Sequence, residues 1–300
     1  MDKIIKFLED VFNKKIYISD KGCTLINHAQ EMIARERIVV QKERNILIPG
    51  CGLQLVDDVK LNAFTTKIED EYWIFVNRGI IEEQKLYLEN FDWNFISDAK
   101  KREQYIDDMI EYGFYFIVFH EYAHIFCGHV DARLNEPADK KAQECEADMV
   151  SMDYLIKYVE YYNDTADFSE ELTKLFLAIY FIFEKMQKQN EMERYNDKII
   201  QNYYDPDRIE KRDHPLDAQR ILYLYDMLNI VIVTEKIEML PVKEEIINIL
   251  KSIKRLSDVD LPKREMEYMI AKESIQNLKK TLQDIRVKIP RLGSDSENQY

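Results

Sequence analysis

The sequence holds one short segment whose residue types and spacing point to metal chemistry. It reads His120-Glu121-Tyr122-Ala123-His124. On a helix, residues i and i+4 lie one turn apart on the same face, so both imidazoles can reach one zinc ion. Glu121 lies beside them and can take a proton from an attacking water. The segment predicts a metallopeptidase centre, and the alternative is a chance occurrence of a short motif on a helix.

A third zinc ligand is predicted on the next helix. Glu144 and Asp148 are four residues apart, so they share a helix face. We predict that Glu144 completes the metal site and that Asp148 accepts the free N–H of a ligand histidine, which fixes the tautomer of that histidine. Glu146 points away from this face and is predicted to be solvated or salt-bridged.

The residues after the second histidine decide between classes of metallopeptidase. A metzincin requires Gly and His at the positions of Cys127 and Val130, so that class is excluded. His129 faces a different side of a continuing helix from His124, and we interpret it as a polar residue at the helix end rather than as a ligand. Cys127 and Cys145 are interpreted as small buried hydrophobes, with a thiolate ligand as the alternative.

A further histidine occurs at the start of a later helix. Asp213-His214-Pro215 is followed by Arg220. Pro215 suits the first turn of a helix, which places His214 at the N-cap, where positive potential and free N–H groups collect. A donor there could stabilise the oxyanion that forms during peptide hydrolysis, and the alternative is a purely structural cap. Arg220 could bind a carboxylate of the site.

The elements that position these residues are mostly helices. Hydrophobic periodicity predicts an α+β, mostly helical fold with one small antiparallel sheet between about residues 46 and 77. Helices are predicted over about 1–14, 24–36, 79–92, 97–130, 140–162 and 169–188. The apolar segments on both sides of the histidine motif predict that its helix is buried. The predicted domains are a catalytic domain over 1–235, a helical extension over 236–286 and a disordered tail over 287–300.

The composition restricts the partners and the compartment. Hydrophobic residues make up 46% of the 300-residue chain, which is typical of a globular protein. The chain has a net charge of −14, so it would repel the phosphate groups of a nucleic acid, and a nucleic-acid partner is not expected. The most apolar run, residues 175–183, is about half as long as a membrane span requires. The first residues do not show the pattern expected of a signal peptide, and no C-x-x-C pair occurs. We therefore expect a cytoplasmic protein without a membrane partner, and the oligomeric state stays open.

Taken together, the motifs resemble those of a known family. HEYAH, ECEAD and HPLDAQR are similar, in this order, to the H-E-x-x-H, E-x-E-A-D and H-P-x-x-x-x-R blocks of the gluzincin zinc metallopeptidases related to HtpX and the CAAX prenyl endopeptidases. The Asn62-Ala63-Phe64 segment is similar to the edge strand of that family. The resemblance spans about residues 60–225 and implies a minimal thermolysin-like core, Zn²⁺ as cofactor and Glu144 as a ligand. It also implies that His214 lies near the scissile carbonyl and that residues 62–64 face the substrate.

The chain lacks the membrane spans of those relatives and looks more like the soluble phage-exclusion peptidases of the Lit type. This resemblance implies a zinc endopeptidase that hydrolyses an intracellular protein target in phage exclusion or regulatory proteolysis. The alternative is a catalytically silent, zinc-binding interaction module. Glu121 argues against that alternative, because a structural zinc site usually has four protein ligands and has no use for a base.

Overall fold

The computed structural model describes residues 2–44, 48–91, 93, 96–132, 136–162 and 168–194, together with Arg220 and Leu224. The chain divides between residues 133 and 134 into two compact units. The predicted domain boundaries near residues 235 and 286 lie outside the described part, as do His214 and the helices predicted after it.

The described elements confirm a mostly helical α+β fold with one small sheet. The first unit contains α1 (Asp2–Phe12), α2 (Asp20–Arg44), β1 (Cys51–Val56), β2 (Ala63–Ile68), β3 (Glu71–Asn77), α3 (Gly79–Glu89) and α4 (Ala99–Phe126). The second unit contains α5 (Pro137–Tyr162) and α6 (Phe168–Arg194). Every helix predicted up to residue 188 is present, but α2 is longer than predicted at both ends, and α4 ends before residue 130.

The sheet is mixed, whereas the sequence pattern predicted antiparallel pairing throughout. The strand order is β1-β3-β2, with β2 and β3 antiparallel and β1 parallel to β3. The pairing differs because the connection from β1 to β2 passes the end of β3 instead of forming a hairpin. Gly79 permits this passage, since a Cβ atom there would lie 2.1 Å from the carbonyl oxygen of Val59. As a result, β2 is an edge strand of the described sheet.

The two faces of the sheet are covered by different helices. On one face, Phe75 forms a buried cluster with Ile4 and Leu8 of α1 and with Val56. Phe64 of β2 packs against the same cluster, with its ring centroid 5.1 Å from that of Phe75. Side chains alternate along a strand, so the neighbouring β2 residues face the other way, toward α4, which contacts both β2 and β3.

Helix α4 carries the histidine motif and is buried over most of its length. Asp98 caps its start by accepting hydrogen bonds from the backbone N–H groups of Lys100 and Lys101 at 2.8 and 2.9 Å. From residue 112 to residue 123 every side chain is buried. The predicted burial of the motif helix is therefore confirmed. A helix packed in this way holds its side chains in fixed rotamers, which is the support that a metal site requires.

Candidate metal centre

His120 and His124 direct their Nε2 atoms toward the same point. The two atoms are 3.2 Å apart, and the ring centroids are 4.8 Å apart. His120 is buried and His124 is half-buried. Two nitrogen ligands at 2.0–2.1 Å from a tetrahedral zinc ion lie roughly 3.3 Å from each other. The pair therefore fits two neighbouring corners of one zinc coordination sphere.

Glu121, between the two histidines, is held by the edge strand of the sheet. The hydroxyl of Thr65 in β2 lies 2.7 Å from Glu121 Oε2 and 3.0 Å from the Glu121 carbonyl oxygen. A hydroxyl has one hydrogen, and an ionised carboxylate is the stronger acceptor, so the bond to Oε2 dominates when Glu121 is charged. Because Glu121 is buried, this contact fixes the direction of its carboxylate.

Thr65 was not predicted as a site residue, although the strand period contains the necessary signal. Phe64 faces the cluster under α1, so its neighbour Thr65 must face α4. The strand pattern does not predict that the partner of Thr65 is Glu121. Glu121 is 56 positions later in the chain, and its distance from Thr65 depends on how α4 packs on the sheet.

The C-terminal end of α4 is a Schellman turn that folds the chain back onto the helix. Cys127 is the C-cap, and Gly128 follows it with φ 76°. The N–H of Gly128 donates to the carbonyl of Ile125 at 3.0 Å, and the N–H of His129 donates to the carbonyl of His124 at 2.8 Å. This pair of bonds brings the residue after the glycine next to the last turn of the helix. His129 is thereby placed beside His124.

His129 is buried, and its ring meets that of His124. The Nδ1 atoms of the two residues are 3.0 Å apart, whereas the ring centroids are 5.1 Å apart. Since the centroids are much farther apart than the nitrogens, each ring points its Nδ1 atom at the other. The prediction that His129 lies on a different side from His124 is wrong, because it assumed a helix that continues to residue 130. Gly128 was the signal for the turn.

The segment after this turn is attached to the sheet by a three-residue polar cluster. Asp131 accepts hydrogen bonds from the hydroxyl of Tyr72 in β3 and, at 3.2 Å, from the ammonium of Lys67 in β2. The Tyr72 hydroxyl, together with Lys67, holds the pKa of the Asp131 carboxyl below its usual range. Asp131 is therefore charged at neutral pH, and the cluster restrains the segment that carries His129.

In the second unit, a buried ion pair joins Asp148 of α5 to Arg220. Both carboxylate oxygens of Asp148 accept from the guanidinium of Arg220, at 2.8 Å from Nε and 2.7 Å from Nη2. Asp148 is fully buried and Arg220 nearly so. The guanidinium also lies 4.3 Å from the ring centroid of Phe183 in α6. Arg220 thus binds the carboxylate of Asp148, and the predicted place of this pair in the site stays a prediction.

Among the other α5 residues, one is less exposed than predicted. Glu144 is half-buried, whereas Glu146 is 3% exposed. Of the two alternatives predicted for Glu146, the solvated one is therefore wrong, and the salt-bridged one stays a prediction. Cys145 and Cys127 are buried free thiols, in line with their interpretation as small hydrophobes. Burial raises the pKa of the Cys145 thiol far above its usual range.

A comparison with protein families identifies the chain. The family model described as Peptidase U49 matches residues 78–231, more than half of the chain. The chain belongs to the Peptidase U49 family. It is therefore a peptidase, and its substrates are proteins or peptides. No curated protein and no solved structure matches the chain.

The Peptidase U49 match begins directly after β3. It includes the histidine motif, His129, Glu144 and the Asp148–Arg220 pair, but it leaves out the whole sheet, including Thr65. The hydrogen bond from Thr65 to Glu121 thus joins a residue outside the match to one inside it. Among the helices that the structure describes, none has both the length and the apolar character needed to cross a bilayer.

The predicted substrate-facing residues lie at the start of the edge strand. Ala63 is the first residue of β2, and Asn62 precedes it, with its carbonyl accepting the N–H of Asn77 at 3.0 Å. The side chain of Phe64 packs under α1 and so faces away from Glu121. A contact between substrate and Phe64 would accordingly involve its main chain rather than its ring.

Proposed function

We propose that this peptidase is a zinc-dependent endopeptidase in which His120, His124 and Glu144 bind the metal and Glu121 is the general base. The observation that carries the proposal is the convergence of the two Nε2 atoms, which are 3.2 Å apart. When both nitrogens are unprotonated, their lone pairs are directed at the same point, where a bound cation would be stabilised by both. The residue between the two histidines in the sequence is Glu121, whose buried carboxylate is oriented by Thr65 and is of the type that a general base requires.

The donor types in this set suit zinc. Imidazole nitrogens and a carboxylate oxygen are common ligands of catalytic zinc sites, which have three protein ligands and one open position. We propose His120, His124 and Glu144 as three such donors for one ion. The alternative proposal is a second set of donors, Cys127, His129 and Glu146, with a thiol in place of one imidazole. Zinc bound by the first set would supply Lewis-acid stabilisation of the oxyanion and a lower pKa for the attacking water.

The chain's own residues would move the proton and orient the base. Glu121 takes a proton from the water that attacks the peptide carbonyl and passes it to the leaving amine. Thr65 donates to Oε2, and we assign the contact with the water to Oε1. When Glu121 becomes neutral, the Thr65 hydroxyl can turn to the Glu121 carbonyl oxygen, 3.0 Å away. His214 is proposed as a donor to the oxyanion, as its predicted N-cap position suggests.

The edge strand supports cleavage within a chain rather than at a terminus. Among the described strands, β2 pairs with β3 alone, so its other edge can pair with an extended peptide through main-chain hydrogen bonds. Thr65 lies inside β2, with strand residues on both sides of it. A peptide paired along this edge would extend past Glu121 in both directions. The proposed substrate is therefore an extended internal segment of a protein, and a role in phage exclusion or regulatory proteolysis stays a prediction from the resemblance.

The competing proposal is a silent zinc-binding interaction module. Such a module has no need for a carboxylate beside the histidines, nor for a strand hydroxyl that orients it. The contact between Thr65 and Glu121 favours the peptidase. Membership in a peptidase family favours it as well.

Removing a metal ligand is expected to remove the metal. Wild-type protein should contain about one zinc per chain, and His124→Ala and Glu144→Ala should each lose it, because a site with two remaining ligands is too weak to retain the ion. Zinc content after gel filtration, measured by atomic emission, checks this expectation.

Two variants serve as matched controls for the metal measurement. His28→Ala removes another histidine of the first unit, whose Nδ1 lies 2.7 Å from the Tyr115 hydroxyl. Glu146→Ala removes the neighbouring glutamate of α5. Both should retain zinc. Undiminished zinc in His124→Ala would disprove the site, whereas loss in Glu146→Ala with retention in Glu144→Ala would assign the metal to the second set of donors.

The Thr65 hydroxyl is expected to matter for turnover and not for metal binding. Thr65→Val keeps the shape of the side chain but removes the donor to Glu121, so kcat should fall about 10–100-fold, the loss expected for one hydrogen bond to a charged group. Thr65→Ser keeps a hydroxyl and should stay close to wild type. Steady-state kinetics with zinc content measured in parallel would test this, and equal kcat values for Val and Thr would show that the contact does not orient the base.

A further inference from the structure

We infer that His129 is a positioning residue for the metal site, accepting a hydrogen bond from Nδ1–H of His124 and so presenting His124 Nε2 to the metal. This inference rests on the proposed function and assigns a role to a residue that the H-E-x-x-H, E-x-E-A-D and H-P blocks leave out. The observation behind it is the 3.0 Å approach of the two Nδ1 atoms.

The proton positions follow from the ring geometry. His124 directs Nε2 at His120 and Nδ1 at His129. A neutral imidazole that binds a metal through Nε2 carries its hydrogen on Nδ1, which makes His124 the donor. His129 must then accept through Nδ1 and carry its own hydrogen on Nε2. Each of the two rings thus has one defined tautomer, and Nε2 of His124 is available to the metal.

Ligand histidines usually donate their second N–H to a carboxylate, a backbone carbonyl or water. A neutral imidazole in this position is a weaker acceptor than a carboxylate and adds no charge to the site. It orients the ligand ring while leaving the net charge of the metal and its ligands unchanged. His129 is buried, so this hydrogen bond is shielded from competing water.

Two restraints keep His129 in place independently of its own side chain. The Schellman turn holds its backbone through the bond from its N–H to the His124 carbonyl. Asp131, two residues later, is bound to Tyr72 and Lys67 of the sheet. Because backbone and neighbouring contacts set the position, a change of the His129 side chain should leave the turn intact and test the hydrogen bond itself.

Three substitutions separate the hydrogen bond from packing. His129→Phe keeps an aromatic ring of similar width but removes the acceptor. His129→Ala removes both ring and acceptor. His129→Asn places an amide oxygen near the position of the lost Nδ1 and can accept from His124. We expect the zinc dissociation constant, measured by competition with a chelator, to rise about 10–100-fold in the Phe and Ala variants and to return most of the way in the Asn variant.

A second readout follows the proton directly. With ¹⁵N-labelled histidine and zinc-loaded protein, the Nδ1–H proton of His124 should be visible and slow to exchange in wild type and in His129→Asn. It should exchange fast in His129→Phe. The unfolding midpoint of the metal-free variants should vary much less than the zinc affinity, because a positioning role acts on the bound state.

The outcomes distinguish this inference from the proposal on which it rests. Wild-type protein that takes up no zinc would overturn both. Zinc binding that requires His124 but is as tight in His129→Phe as in wild type would overturn only the role of His129. Equal weakening in the Phe, Ala and Asn variants would also overturn it, since that pattern indicates a direct ligand or a packing role.

Discussion

Glu121→Gln is expected to abolish most peptide hydrolysis while leaving zinc and fold in place. Gln has nearly the same shape as Glu and retains an oxygen that can accept from the Thr65 hydroxyl, so the buried contact survives. It cannot take up the proton of the attacking water at neutral pH. General acid–base groups contribute about 10²–10⁴-fold, and kcat should fall by that factor.

The measurement needs a substrate, which a proteome-wide search can supply. New N-termini that appear in cells expressing the wild type, and are absent with Glu121→Gln, identify cleavage sites, and a peptide spanning one of them serves for kinetics. Glu103→Gln is the matched control, because Glu103 is an exposed glutamate of the same helix. Near-wild-type turnover in Glu121→Gln with full zinc content would show that another group is the base.

Arg220→Met is expected to cost about 3–5 kcal/mol of unfolding free energy, because it leaves the carboxylate of Asp148 buried without its partner. Asp148 is fully buried in the intact protein, so the lost guanidinium is poorly replaced by water. Arg220→Lys keeps the charge but cannot form two parallel bonds, and its loss should be smaller. Urea denaturation, with the midpoint compared at constant m value, measures these differences.

The double variant Asp148→Leu/Arg220→Met tests whether the cost arises from the unpaired charge. Replacement of a whole buried ion pair by apolar residues of similar volume is often neutral or stabilising, so the double variant should recover most of the stability lost in Arg220→Met. If the two variants are equally unstable, the contact of Arg220 with Phe183, rather than the charge of Asp148, would explain the loss.

The Asp148–Arg220 pair also changes the interpretation of Asp148. The sequence predicted that Asp148 accepts from a ligand histidine, and this role stays a prediction. The structure adds that both carboxylate oxygens accept from Arg220. Each oxygen has two lone pairs, so the ion pair does not exclude a further donor. The pairing could not be read from the sequence, because helix position alone does not tell which of several carboxylates an arginine 72 residues away will meet.

The helices and the histidine pair could be predicted from local patterns, namely hydrophobic periodicity and residue spacing. The i, i+4 spacing of His120 and His124 places both rings on one face in any regular helix, and the 3.2 Å approach of their Nε2 atoms follows from that geometry. The apolar segments around them predicted burial, because a helix that is apolar on all sides packs in the interior. Both features follow from residues that are close together in the sequence.

Helix ends and strand pairing were less well predicted, each for a physical reason. The predicted end of α4 lies past Gly128, whereas the helix ends at Phe126. A glycine at this position favours a left-handed conformation and a Schellman turn. The sheet was predicted as antiparallel because consecutive strands usually form hairpins, and the close passage at Gly79 was not anticipated. The two glycines act differently: Gly128 turns the chain through its positive φ, whereas Gly79 leaves room for the backbone at Val59.

The sequence by itself determined the ligand types, their spacing along the helices and the presence of a base between the histidines. Only the tertiary structure decided what surrounds them: Thr65 on Glu121, His129 on His124 and Arg220 on Asp148. Ligand spacing is a local property, set by the helix repeat. The partners depend on which surfaces pack together, since the hydrophobic effect that drives packing is non-directional and leaves no local pattern from which a distant partner can be predicted.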